Sequence, residues 1–196
     1  MTQDQLGAAT GPATTVPARD AVRTLDGPFD AHCWVLLGKE RSRKASVIRA
    51  LTGLARENWC EVALEGGHTL LFWSPVAPIN EVPRPQEPPE PAAWANALTS
   101  DPGPIPGNHP IVPARRNILI ALRLDLGVPG REPEDYLSAL SGAGATLESI
   151  VTLGEPTRPQ FAYYGAPIAD IPFDLEAQIV PTNSLAHRLR RIWGWL

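Results

Sequence analysis

The chain has 196 residues, 43% of them hydrophobic and 19% charged, with a formal net charge of −4. No apolar run approaches the roughly 20 residues of a membrane-spanning helix, and no basic start leads into an apolar block as in a secretory leader. The expectation is a cytoplasmic chain with no membrane span, and the acidic balance argues against bulk nucleic-acid binding, which carries a basic excess or stripe.

Composition singles out one loop. Of 17 basic residues only two are lysines, Lys39 and Lys44, and both stand beside Arg41 and Arg43. The two cysteines, Cys33 and Cys60, lie in apolar strand-like surroundings, where a small buried thiol is expected rather than a disulfide, metal ligand or nucleophile.

Residues 1–30, with Gly, Pro and Thr and little hydrophobic pattern, read as a flexible N-terminal arm; residues 31–196 read as one α/β domain. Ala31 to Leu37 is an apolar run suited to a buried strand. A loop from Gly38 to Lys44 follows, and from Ala45 to about Glu57 the residues Val47, Ile48, Leu51, Leu54 and Ala55 recur at helical spacing.

Strand, loop and helix in that order are the setting of a phosphate-binding loop, which runs Gly, four residues, Gly, Lys, then Ser or Thr. Glycine lets backbone N–H groups close around phosphates, lysine neutralises them, and the hydroxyl holds Mg²⁺. Gly38 and Lys44 keep their places, but Arg43 stands where the second glycine belongs and Ala45 where the hydroxyl belongs. Ser46 comes one residue late, about 100° around the helix. The candidate phosphate- or nucleotide-binding residues are Gly38, Lys39, Arg41, Ser42, Arg43, Lys44 and Ser46.

Trp59 to Leu64 reads as a strand, Glu65-Gly66-Gly67-His68 as a tight turn, and Thr69 to Trp73 as the returning strand of a hairpin. Strand, loop, helix and antiparallel hairpin together resemble the start of the P-loop GTPase family. The resemblance implies a P-loop NTPase-like α/β fold: a mostly parallel sheet with an antiparallel edge hairpin and flanking helices. It also implies an acid at the end of the third strand, reaching the metal through water. Here that strand ends Phe72-Trp73-Ser74-Pro75, and Glu81, the next acid, is too far along to substitute without a rearranged loop.

Twelve of the 22 prolines fall between Pro75 and Pro113, so 75–113 reads as an irregular excursion, with one short helical turn around Pro91 to Leu98. Ile118 to Leu122 forms the next strong strand, closed by Asp125; Arg123-Leu124-Asp125-Leu126 stands where the resemblance would require the guanine-recognising Asn-Lys-x-Asp. A helix over 133–141 with first-turn acids, a strand over 146–153, an edge strand or loop at 161–164 and a short strand at Ile179-Val180 complete the order. The last helix is capped by Pro181 to Ser184 and striped by Leu185, Leu189, Ile192 and Leu196.

Function follows from what the loop keeps and lacks. The main expectation is a non-catalytic or weakly active P-loop protein, a pseudo-NTPase acting through protein–protein interaction, with a bound phosphate or nucleotide compatible with the loop and Mg²⁺ not expected. Arg188, Arg191, Trp193 and Trp195 on the last helix are the candidate partner-binding residues, being interface residue types. The alternatives are a divergent NTPase or nucleotide kinase using Lys44 with Arg41 or Arg43, and a nucleic-acid accessory protein whose basic loop touches phosphate. His32, His68 and His109 lack ligand spacing, so no metal site is expected, and no catalytic residue is assigned.

Overall fold

A computed structural model describes residues 30–81, 90–99, 115–154, 156, 158–173 and 180–196. Six strands form one sheet: β1 (Asp30–Gly38), β2 (Asn58–Ala63), β3 (Thr69–Ser74), β4 (Arg115–Arg123), β5 (Thr146–Leu153) and β6 (Ile168–Ile171), in the spatial order β2-β3-β4-β1-β5-β6. All neighbours are parallel except β2 and β3, which pair antiparallel at one edge. The expected α/β sheet with an edge hairpin is therefore present.

The central strand is apolar on both faces because both faces are covered. Cys33, Val35 and Leu37 join Ile118, Ile120 and Leu122 against α2 (Pro91–Thr99) and α3 (Pro133–Gly142). Trp34 and Leu36 join Leu119, Ala121 and Val151 against α1 (Lys44–Thr52) and α4 (Thr182–Trp193). Alternate residues of one strand thus feed two separate cores. Cys33 and Cys60 are free buried thiols, as expected; burial pushes them up to about 12 and about 11.

Local chemistry sets most element ends. Gly53, at φ 72°, stops α1 and donates its N–H to Arg49 O at 2.8 Å, so the helix is shorter than the stripe to Glu57 implied. Pro133 opens α3 inside a capping box formed by Glu132 and Asp135.

Several expectations are corrected. Residues 159–164 form a 3₁₀ helix, where an edge strand or a loop was expected at 161–164. The sixth strand is 168–171, a four-residue segment between Pro167 and Pro172 too short to show a period. Pro181 is the N-cap of α4 and no side chain caps it, so Thr182 to Ser184 are not the caps they resembled. Val180 is a bend, and Ile179 lies outside the described residues, as do 1–29 of the 1–30 arm, whose last residue, Asp30, opens β1, and 82–89 and 100–114 of the Pro-rich excursion.

The strand order also bears on the GTPase resemblance. β4, not β3, lies beside β1. An acid ending β3 would start two strand spacings, roughly 10 Å, from the loop after β1.

Candidate functional site

β1 leads into α1 on one face of the sheet, whereas its neighbour β4 leads into α3 on the other. Where adjacent parallel strands send their chains to opposite faces, their carboxyl ends leave a crevice, the usual ligand position of open α/β sheets. The crevice here lies between Gly38 and Arg123, and the loop 38–44 forms one wall. The loop that carries both lysines therefore lies at this crevice.

The loop is closed around its own lysine. Lys44 is only 3% exposed, and its Nζ donates to Gly38 O at 2.7 Å, Lys39 O at 2.6 Å and Ser42 Oγ at 3.2 Å. An ammonium has three N–H donors, and each meets an acceptor of the loop. Ser42 is itself fully buried. A Cβ on Gly38 would fall 2.3 Å from Ser42 Oγ, which explains why that position is glycine.

Two loop residues take the left-handed conformation without being glycine: Arg41 at φ 62° and Arg43 at φ 63°. For such a residue this costs about 1 kcal/mol. Arg43 is the N-cap of α1, and its left-handed backbone is one that glycine adopts without cost. Its side chain turns outward and donates from Nη1 to Val180 O at 2.6 Å. Arg41 is exposed, while Lys39 and Ser46 are partly exposed.

Sequence reasoning missed the opposite wall. Arg123, at the end of β4, reaches Glu40, Glu81 and Asp125, each at 2.8 Å. Asp125 Oδ1 also accepts the backbone N–H of Glu40 at 2.9 Å, and Leu124 N–H donates to Gly38 O at 3.0 Å. The crevice is thereby bridged from loop to loop. Glu81 arrives because the chain after β3 crosses the end of β4: Ile79 N–H donates to Ala121 O, and buried Asn80 accepts from Arg123 N–H and donates to Arg123 O. A strained γ-turn centred on Val76, at φ 63°, starts that crossing, with Ala77 N–H on Pro75 O at 2.7 Å. That crossing brings Glu81 to the end of β4, against Arg123. The one sequence signal of this wall was Arg123 and Asp125 following the apolar run Ile118 to Leu122.

These charges act on Lys44. Burial pushes its ammonium down to about 8, while Glu81, Asp125 and Glu40 pull it back up and Arg123 adds to the lowering. Burial would raise the Asp125 carboxyl, but hydrogen bonds from Arg123 and Glu40 N–H outweigh it and hold it below the usual range. No acid occupies the first turn of α1. The carboxylates of other segments supply the negative charge that the positive helix end and its lysine favour.

The candidate partner residues separate. Arg188 and Arg191 are exposed on α4 and, with Asp170, line a cavity of 370 Å³. Trp195 is 3% exposed and packs on Phe72 at 4.7 Å, so it belongs to the core and not to a contact surface. Gly194, at φ 65°, turns the chain back after α4, and Leu196 N–H donates to Ala63 O. Trp193 is partly buried, its Nε1–H on Ser149 Oγ at 3.0 Å.

Among the described residues no group of three His, Cys, Asp or Glu side chains converges to hold a metal, and no helix is long and apolar enough to cross a membrane. Comparison with protein-family models, with curated proteins and with solved structures finds no match.

Proposed function

We propose that this chain is a degenerate P-loop protein whose loop holds its own lysine in place of a phosphate, that it does not turn over nucleotide, and that it works through protein contacts. One observation carries the first part: all three donors of Lys44 Nζ are directed at Gly38 O, Lys39 O and Ser42 Oγ. Ion pairing supports it, since Arg123 on the facing wall is already committed to Glu40, Glu81 and Asp125 and is not left over for an incoming polyanion. Exposed Arg188 and Arg191 beside half-exposed Ile192 support the contact role.

A divergent NTPase is the second reading, and Glu81 favours it. Its carboxylate and that of Asp125 lie within electrostatic reach of Lys44. Calorimetric titration with ATP and GTP, with and without Mg²⁺, separates the two. A closed loop gives no saturable heat with wild type or Lys44→Ala. Saturable, Mg²⁺-dependent binding that is lost in Lys44→Ala and weakened in Glu81→Gln would overturn the first reading in favour of the second. The contact role is tested by comparing proteins retained by wild type with those retained by Arg188→Glu/Arg191→Glu of unchanged melting temperature. Identical retention would remove α4 as the contact surface.

A further inference from the structure

The net charge of −4 hides a separation of sign across the sheet. α1 and α4 pack on one face, tied by Arg190 Nη2 on Ala50 O at 2.9 Å, and neither helix contains an Asp or Glu. Their exposed positions include Arg49, His187, Arg188 and Arg191. The helices of the other face differ: α2 has no ionisable residue, and α3 has Glu134 and Asp135 but no basic one. A sheet and two helix layers hold those surfaces apart by more than a Debye length, roughly 8 Å at physiological ionic strength, so a partner meets one sign and not the sum.

The arginines of this face are of two kinds. Arg43 and Arg190 tie the fold together, their guanidinium groups donating to Val180 O and Ala50 O. Arg188 and Arg191 do not: among the described residues neither guanidinium makes a hydrogen bond or ion pair. Three positions apart on α4, they share one side of the helix. They line the 370 Å³ cavity together with Ile171, Pro172 and half-exposed Ile192. Asp170, in the same wall, is already engaged within the chain. Two uncommitted cations therefore border a hollow that is otherwise largely apolar.

We propose that this face docks an acidic segment of a protein partner, with one large apolar side chain of the segment in the hollow and flanking carboxylates on Arg188 and Arg191. The inference rests on the reading that the chain works through protein contacts on α4, and adds what the partner must carry. A guanidinium stays charged throughout the physiological pH range and meets a carboxylate through two parallel N–H donors, which is how arginine clusters recognise acidic motifs. The hollow favours a protein over a nucleic acid. A phosphate backbone would neutralise the arginines but leave Ile171, Pro172 and Ile192 without an apolar counterpart.

Selection of a phage-displayed random peptide library on the full chain tests the proposal, followed by fluorescence anisotropy of a labelled selected peptide. Enriched peptides are expected to place Asp and Glu around one large apolar residue. They should bind about tenfold or more weakly to Arg188→Glu/Arg191→Glu of unchanged melting temperature. Exchanging the peptide's acids for lysines should restore binding to that variant, which a merely damaged surface would not allow. Enrichment of basic or uncharged peptides, no enrichment, a lysine peptide that ignores the reversed variant, or duplex DNA held more tightly than the peptide would overturn it. Protein partners lost from Arg188→Glu/Arg191→Glu while the selected peptides are not acidic would remove this inference and leave the α4 contact reading standing. Partners and peptides both indifferent to the variant would remove the two together.

Discussion

Gly38 and Ser42 share one small volume, and that steric fact is the most local commitment in the loop. Adding a methyl group to Gly38 drives it to 2.3 Å from Ser42 Oγ and 2.9 Å from Ser42 Cβ. Gly38→Ala is therefore expected to cost about 2 kcal/mol by overpacking, and the cost should largely vanish in a Ser42→Gly background, measured as a double-mutant cycle in urea. Additive effects would show that the two residues do not compete for space. Lys44 makes a second residue-level prediction. Its ammonium is depressed from 10.5 to about 8 on folding, so between those values the unfolded chain binds more protons and stability rises with pH. Relative to Lys44→Met, wild type should gain about 2 kcal/mol between pH 7 and pH 9.5. A constant difference across that window would mean that Lys44 is solvated like an ordinary lysine.

At the scale of elements, the end of α4 divides residues that look alike in sequence. Leu185, Leu189, Ile192 and Leu196 have one helical spacing, yet the first two are fully buried while Ile192 and Leu196 are 42% and 67% exposed. Gly194 ends the helix before the stripe is complete and returns Trp195 to the core, where an isolated bridge pairs it with Leu64. Trp195→Ala should cost about 3–5 kcal/mol and Leu196→Ala less than about 0.5 kcal/mol. Comparable losses would contradict the chain reversal at Gly194. This is also where legibility stopped. β1, α1, the hairpin, β4, α3 and β5 were readable because each carries a period or an apolar run of its own. β6 has four residues and no such signal, and the inward turn of Trp195 depends on a tertiary pairing with the distant hairpin. The loop wall of the site was legible as a contiguous motif. The Arg123 wall was not, because it joins residues 40, 81, 123 and 125, which only the sheet order brings together.

For the whole molecule, the sheet order places the crevice between β1 and β4, and the chain's own charges bridge it. Arg123 is the keystone of that bridge: its side chain is 18% exposed and serves three carboxylates. Arg123→Gln leaves those acids beside one another and is expected to destabilise by about 1–3 kcal/mol, more at low salt than at high; a loss independent of salt would point to packing instead. The central claim concerns what fills the crevice, and the composition makes it directly measurable because the chain has only two lysines, Lys39 and Lys44. In a ¹³Cε NMR titration, with Lys39→Arg for assignment, the Lys44 signal should report a pKa of about 8 and remain unmoved by Mg·ATP or Mg·GTP. A Lys44 signal titrating near 10.5, or one that shifts saturably with either nucleotide, would contradict a loop closed around its own lysine.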